Sequence, residues 1–432
     1  MHISEYLTPG KKAFLIGIAG VSMAGLEQAL RHKGLTVAGS DRALGNEDPA
    51  LLEGFDFAVR TAAAREDNVM VAAVRARDIP LYERAQAWGA IADGYKDIVC
   101  VAGTHGKTTT TGMLAHTALL AGMDPCVMVG GNLPSIGGYY RRGGGDAIIL
   151  EACEYRNSYH YFSPTLAVVT NIEEDHLDFF ADYDDILRSF TVFCEKTAPG
   201  GAVLLNGDDP GCRAIAPGLT REVVWYGANG DITPDDLRAS GVKLTVCGGH
   251  NARNALAAFA AARRLGIPDG RIKEGLSSFR GVERRMELLG EYNGCRIYDD
   301  YAHHPTEITA ALAAARETGA KRVTAVFQPH TYSRTRSLLP GFAKALSVAD
   351  TVILTEIYAA REDNPHGVSS RDICALIPGS IYCENFAAAA EAVRQYARAG
   401  DATVIMGAGD VRVVGEAAVS GAIASSASCG KG

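Results

Sequence analysis

Apolar and polar residues alternate along this chain in blocks whose length and spacing predict strands and helices in turn. Ala13-Phe14-Leu15-Ile16-Gly17-Ile18 is a short apolar run, the mark of a buried strand, and it leads into a glycine-bearing turn. From 23 to 33 the spacing becomes helical, with Met23, Leu26 and Leu30 on one face. Residues 35–41 read as a second strand ending in polar residues, and the segments Phe57-Ala58-Val59 and Asp78-Ile79-Pro80-Leu81 continue the alternation. The pattern restarts after Gly94-Tyr95-Lys96-Asp97. A strand over 98–102, a glycine loop and a long helix over 109–120 follow. Strands over 147–150, 166–170 and 202–205 come next, then a helix from about 253 to 265. A third restart at Gly294-Cys295-Arg296-Ile297-Tyr298 brings strands over 322–327, 351–354 and 402–406. Strands alternating with helices imply parallel sheets with helices on their faces. Three such units suit a chain of 432 residues, at roughly 150 per domain. The expected domains are 1–97, 98–283 and 284–432, with Gly281–Arg285 as a junction.

Composition narrows the function classes. Hydrophobic residues make up 47% and charged residues 21%, enough for a core in each domain and incompatible with wholesale disorder. Asp and Glu outnumber Lys and Arg by 50 to 42, a formal charge of −8, so no nucleic-acid partner is expected. No apolar stretch approaches the ~18 residues of a membrane helix. The start, Met1-His2-Ile3-Ser4-Glu5-Tyr6, lacks the pattern of a secretory signal, so a cytoplasmic protein with no membrane partner is expected. Ten cysteines, scattered singly from Cys100 to Cys429 without a CxxC pair, read as unpaired thiols of a reducing compartment. The 48 glycines are about 11% of the chain against a typical ~7%, which points to many turns or to phosphate-holding loops. Nothing in the sequence sets an oligomeric state.

One glycine loop carries recognisable chemistry. Val101-Ala102-Gly103-Thr104-His105-Gly106-Lys107-Thr108-Thr109 joins an expected strand to an expected helix. Glycines let backbone N–H groups turn toward an anion, and the helix N-terminus adds the positive end of its dipole. Lys107 offers a point charge for β- and γ-phosphates, and Thr108 offers a hydroxyl placed to ligate Mg²⁺. Val101 stands where the general GxxxxGK[ST] pattern has its first glycine, but Gly-Thr-x-Gly-Lys-Thr is intact. ATP is therefore the expected ligand, held by Gly103, Thr104, His105, Gly106, Lys107, Thr108 and Thr109.

That shorter loop resembles the phosphate loop of the Mur ligase family, and other segments are similar to the same family. Glu151-Ala152-Cys153-Glu154-Tyr155 looks like the strand end that bears its metal-binding glutamate. Thr170-Asn171-Ile172-Glu173-Glu174-Asp175-His176-Leu177-Asp178 and His250-Asn251-Ala252-Arg253-Asn254-Ala255-Leu256 resemble two further motifs. Gly281-Val282-Glu283-Arg284-Arg285, the stretch from Asp299 to Glu307, that from Gln328 to Arg336, and Gly407-Ala408-Gly409-Asp410 are similar to the alanine-adding branch. Residues 177–195 contain no lysine, whereas branches adding later residues carry a carbamylated lysine there. The likeness runs from Gly17 to about Asp410.

The resemblance implies an α/β protein of three domains: a Rossmann-like N-terminal domain, a P-loop ATPase-like central domain and a Rossmann-like C-terminal domain. It implies an ATP-dependent ligase joining L-alanine to the carboxylate of UDP-N-acetylmuramate through an acyl phosphate, in peptidoglycan precursor synthesis, with Mg²⁺. Lys107, Glu151, His176, Arg285 and Asp300 then become the expected catalytic residues. Thr108 and Glu151 would serve one metal ion, and His176 with Glu151 another, with Asp175 in support. Asn251 and Asn254 sit at i and i+3 and would lie beside adenine, although Asn251 also suits a plain helix cap. Arg285 and Asp300 would reach the γ-phosphate and the ribose. A buried Arg–Asp pair at a hinge would give the same sequence pattern. His303, Arg334 and Arg336 would hold the carboxylate of L-alanine, arginine being suited by its planar fork.

The N-terminal turn from Gly17 through Ile18, Ala19 and Gly20 to Val21 resembles a dinucleotide fingerprint in which Ala19 replaces the second glycine, with Asp41 closing the next strand. Beside the ligase motifs it reads as a diphosphate site at Gly17, Ala19, Gly20 and Val21, with uridine near Ser40 and Asp41. Between Asp231 and Gly249 the chain is shorter than is usual in the family, leaving Val242-Lys243-Leu244-Thr245-Val246 as the remnant of a β-rich insertion. Three other readings stand beside the ligase: one attaching a preformed murein peptide to the same nucleotide sugar, an inactive nucleotide-binding regulator, and an NAD-dependent oxidoreductase. The second phosphate loop opposes the last of these.

Overall fold

The computed structural model describes residues 2–177, 179–360 and 362–420, without the side chains of Val21 and Ser22. Asp178, Cys429 and the Val21 side chain therefore lie outside the described residues. The chain divides into two compact units, Met1–Leu244 with Arg253–Arg280, and Thr245–Ala252 with Gly281–Gly432.

The first unit carries two sheets. In the first, β1 (Lys12–Ile16), β2 (Thr36–Ser40), β3 (Phe57–Arg60) and β4 (Leu81–Glu83) run parallel in the order β2-β1-β3-β4, with helices α1 (Val21–His32), α2 (Val69–Ala76) and α3 (Arg84–Ala92). Met23, Leu26 and Leu30, the apolar stripe of α1, are buried. β4 begins at Leu81 rather than Asp78, because Asp78 takes a left-handed turn (φ 52°) just before it.

The second sheet has β5 (Asp97–Ala102), β6 (Cys126–Leu133), β7 (Gly138–Arg141), β8 (Ala147–Glu151), β9 (Leu166–Val169), β10 (Ala202–Asn206) and β11 (Glu222–Tyr226). Their order is β11-β10-β9-β5-β8-β6-β7, parallel except for the hairpin β6–β7. Helices α4 (Lys107–Leu120), α5 (Tyr183–Glu195), α6 (Pro210–Ile215), α7 (Pro234–Ala239), α8 (Gly249–Arg264) and α9 (Asp269–Ser278) accompany it. Val242–Val246, the remnant of a β-rich insertion, forms no strand. Its alternating residues have no neighbouring strand to take up their backbone groups, and unpaired strands are not stable alone.

In both sheets a glycine loop leaves the strand where the order reverses, β1 between β2 and β3, and β5 between β9 and β8. Ligands of open α/β sheets bind at such switch points, outside the carboxyl ends of the strands. The two sheets share one core: Leu15, Phe57 and Trp88 belong to the same buried cluster as Cys100, Ile148 and Leu205. Trp88 of α3 is fully buried, and its ring lies 5.7 Å from that of Tyr140 on β7.

In the second unit, β12 (Glu287–Tyr292), β13 (Cys295–Asp300), β14 (Val323–Phe327), β15 (Thr351–Leu354), β16 (Ile381–Tyr382) and β17 (Ala402–Met406) form one sheet in the order β12-β13-β17-β14-β15-β16. Only β12, which precedes the expected start of this region, is antiparallel. The helices are α10 (Pro305–Glu317), α11 (Tyr332–Ser337), α12 (Leu339–Leu346), α13 (Ser370–Cys374), α14 (Phe386–Tyr396) and α15 (Arg412–Ser420). Successive strand residues face opposite sides, so Phe327 packs with Phe342 and Leu346 while Val326 packs with Val393 and Ile405. Cysteines of the described residues are all unpaired.

Trp88→Ala removes the largest side chain from the shared core, and it should lower the stability of the first unit by about 3–5 kcal/mol. Urea unfolding followed by circular dichroism measures this; an unchanged midpoint would show that the two sheets do not depend on it.

Candidate active site

The phosphate loop is shaped by the space it lacks. Gly103 (φ 132°) and Gly106 (φ 81°) adopt backbone conformations that disfavour side chains. A Cβ on Gly103 would lie 2.0 Å from Thr170 Oγ1, and one on Gly106 would lie 2.3 Å from Asn254 Oδ1. Behind the loop, the segment after β9 ties it down. Asn171 O accepts from Thr104 N at 2.9 Å and Asn171 Oδ1 from His105 N at 2.8 Å. Thr170 Oγ1 and Asn171 Nδ2 both donate to His105 O, and Glu173 N donates to Thr104 Oγ1 at 2.8 Å. Gly106 caps α4, so the positive end of the helix opens beside Lys107 and Thr108. Thr109 is buried in the same first turn.

Lys107 Nζ donates to Gly103 O, to Thr104 O at 3.0 Å and to Glu154 at 3.0–3.1 Å. Burial alone would push the ammonium pKa down. The charges of Glu154 and Glu151 outweigh it and raise the pKa above the ordinary lysine value, so Lys107 is charged. Glu151, at the end of β8, accepts from the Thr108 hydroxyl at 3.0 Å and from Gly130 N at 2.7 Å. His176 (φ 55°) turns its Nε2 to within 3.7 Å of Glu154 Oε1, with the Tyr155 ring 4.7 Å away. Asp175 Oδ1 accepts from His176 N at 2.7 Å.

The structure thus brings Lys107, Thr108, Glu151 and His176 together, and adds Glu154, which sequence reasoning had only quoted within a motif. Glu154 is 3% exposed and stands between Lys107 and His176. Its signal in the sequence is a second acid three residues after Glu151. Asn254 borders the loop through Gly106. Asn251 lies inside the first turn of α8 rather than capping it, and donates from Nδ2 to Cys247 O at 2.6 Å.

At the rim of the first sheet, Gly17 N and Ile18 N donate to Ser40 O, and Ala19 N donates to Asp41 Oδ2 at 3.2 Å. Gly20 caps α1. The Ser40 hydroxyl is buried without a hydrogen-bond partner among the described residues.

The second unit holds the other expected residues. Asp300 is buried, accepting from Met286 N and Ala302 N at 2.8 Å each. Arg285 lies over the Tyr301 ring at 5.2 Å. Its neighbour Arg284 is the residue that clamps this turn, donating to Asp299, Gly407 O and Gly409 O. His303 lies 6.0 Å from His330 between ring centroids, and Arg334 Nη1 is 3.2 Å from His330 Nδ1. Arg336 is not brought to this group. Two positions on along α11 it points elsewhere and is exposed, since residues i and i+2 of a helix do not share a face.

Three family models match, described as Mur ligase family, catalytic domain (residues 14–96), Mur ligase middle domain (101–262) and Mur ligase, glutamate ligase domain (284–409). The chain belongs to the Mur ligase family. Among curated relatives, the UDP-N-acetylmuramate–L-alanine ligase of Lachnospira eligens is 42% identical over 93% of this chain and 96% of its own length. That of Agathobacter rectalis is 41% identical with the same coverage. Among solved structures, the UDP-N-acetylmuramate–alanine ligase of Thermotoga maritima superposes with a TM-score of 0.78 at 26% identity, over 95% of this chain and 98% of that one. A murein peptide ligase from Psychrobacter arcticus shares the fold, with a TM-score of 0.71 at 23% identity over 97% and 100% of the two chains. No helix of the described residues is long and apolar enough to cross a membrane.

Gly103→Ala should weaken ATP binding on the order of 10- to 100-fold, because the loop must shift to admit a methyl group. Titration calorimetry with ATP tests this, and wild-type affinity would contradict the packing account. Burial raises the Asp300 carboxyl from 3.8 to about 6, with Arg285 opposing. Between these values the native state holds a proton that the unfolded chain releases. Its contribution to stability is complete below pH 3.8, and it declines by up to about 3 kcal/mol as pH rises to about 6. Urea unfolding of wild type and Asp300→Asn across this range should show a steeper decline in the wild type, since Asp299 and Asp209, also raised by burial, act in both.

Proposed function

We propose that this chain joins L-alanine to the carboxylate of UDP-N-acetylmuramate at the expense of ATP, a step of peptidoglycan precursor synthesis. One observation carries the reading: the Lys107 phosphate loop stands in a chain 42% identical, over 93% of its length, to a ligase of that name. ATP dependence is a property of the family. We assign 1–97 to the nucleotide sugar, 98–283 to ATP and 284–432 to the amino acid.

A carboxylate oxygen of the sugar attacks the γ-phosphorus of ATP, and ADP leaves. The amine of L-alanine then attacks the acyl carbon, the amide bond forms, and phosphate departs with the oxygen it gained. Such chemistry asks the protein mainly for positioning and charge neutralisation. The loop N–H groups and the α4 N-terminus meet the phosphates, and Lys107 exchanges its contacts with Gly103 O, Thr104 O and Glu154 for phosphate oxygens. Asn251 and Asn254 border adenine, Arg285 serves the γ-phosphate, and Asp300 serves the ribose while fixing the turn that carries Arg285.

The Thr108 hydroxyl and Glu151 carboxylate, 3.0 Å apart, are the hard oxygen donors that Mg²⁺ prefers, and His176 stands nearby. Bound there, Mg²⁺ would neutralise phosphate charge. Gly17, Ala19, Gly20 and the α1 N-terminus at Val21 receive the diphosphate, and Ser40, whose buried hydroxyl lacks a partner among the described residues, with Asp41 receives the uridine. His303 and Arg334 receive the carboxylate of L-alanine, without Arg336.

Purified protein supplied with ATP, Mg²⁺, UDP-N-acetylmuramate and single amino acids should release phosphate only with L-alanine and yield a product heavier by one alanyl residue. Lys107→Ala should lower kcat by on the order of 10³-fold or more, as loss of a phosphate-neutralising cation does elsewhere. Turnover with a tripeptide but not with alanine would overturn the reading.

A further inference from the structure

Four parallel strands of the first sheet end level with one another: Ile16 pairs with Ser40 and with Arg60, and Arg60 pairs with Glu83. The residues that follow these strands, Gly17, Asp41, Thr61 and Arg84, therefore line one rim. Gly17 and Asp41 are already assigned to the nucleotide sugar. Arg84, at the start of α3, is the cation of that row.

Arg84 is partly exposed as a residue, while its guanidinium is densely surrounded by protein, which lowers its pKa below the ordinary arginine value. The carboxylates that act on it are Glu151, from the end of β8, and its neighbour Glu83. Both acids have other partners. Glu151 is engaged by Thr108 and Gly130, one oxygen each. Glu83 holds Arg60 at 2.7 Å. Among the described residues the Arg84 guanidinium makes no hydrogen bond or ion pair. Arg60, on the same rim, has two acidic partners. A guanidinium on this rim that no acid of the described residues pairs is open to an anion from outside, and its planar fork suits a carboxylate.

Resting on the ligase reading above, we propose that Arg84 binds the carboxylate of the nucleotide sugar that is to be phosphorylated. The reacting group has to lie between the sugar rim and the γ-phosphate beside Lys107 and Glu151, and Arg84 is the cation of that rim on which Glu151 acts. A guanidinium fork pairs with both oxygens of a carboxylate, fixing its plane while one oxygen stays aligned for attack. It also recognises the acid: a nucleotide sugar with the same uridine diphosphate but no carboxylate gains nothing from Arg84.

The test compares binding of UDP-N-acetylmuramate and UDP-N-acetylglucosamine, without ATP, to wild type, Arg84→Gln and Arg84→Lys. Arg84→Gln should weaken the first ligand on the order of 10- to 100-fold and leave the second unchanged. Arg84→Lys should recover part of the loss, and ATP affinity should be unaltered in all three. In turnover, the KM for UDP-N-acetylmuramate should rise more than the KM for ATP or L-alanine. Equal loss for both sugars, or none for either, would overturn the proposal in an enzyme that still joins alanine. A wild type that binds no UDP-N-acetylmuramate would instead overturn the ligase reading on which it rests.

Discussion

The absence of two side chains governs the site. Gly103 and Gly106 let the chain turn so tightly after β5 that the loop's carbonyls and N–H groups meet the Thr170–Glu173 segment behind it and Asn254 beside it. That strap has a second consequence. The segment holding the loop runs on into Asp175 and His176, so the hydrogen bonds that shape the phosphate loop also set where the histidine stands. Loop, lysine and histidine are positioned as one piece rather than as separate ligands on separate loops.

Charge is then arranged around that piece. Lys107 is buried and fully charged because Glu154 and Glu151 face it, and Glu154 also faces His176. An anion already occupies the neighbourhood in which a phosphate is expected. Glu154 thus keeps a buried cation solvated until a nucleotide replaces part of its role. Trp88 and its shared core fix the first sheet to this assembly, so the carboxyl ends of β1 to β4 are held in constant relation to the end of β8. Joining two substrates requires such a relation, since a displacement of an ångström is costly in group transfer.

Much of this was legible in the residues. Runs such as 98–102 and 402–406 are continuous apolar blocks that only a doubly covered parallel strand accommodates, and both formed. Where the pattern is weak, reading failed in both directions. Cys126–Leu133 is interrupted by two glycines, Ile381–Tyr382 is two residues long, and Glu287–Tyr292 is an antiparallel edge with little apolar alternation. Conversely, Val242–Val246 alternates well and forms no strand, because alternation says nothing about whether a neighbour exists. At the site, Lys107 and Thr108 follow from strand–loop–helix spacing, and Glu151 from the resemblance to the family. Glu154 does not, because it is delivered through an irregular segment in which Arg156 and Asn157 both take left-handed conformations. Arg84 was invisible for the same reason: it is an ordinary helix-start residue until the register of four strands places it on the rim.

The account makes the substrate carboxylate an attacking group on ATP, and one isotope experiment addresses that directly. With UDP-N-acetylmuramate carrying ¹⁸O in its carboxylate, phosphate released during synthesis with L-alanine should contain one ¹⁸O atom per product, seen by mass spectrometry. Unlabelled phosphate, with the departed heavy oxygen recovered in water or in a nucleotide instead, would contradict phosphorylation of the carboxylate and with it the role given to this loop.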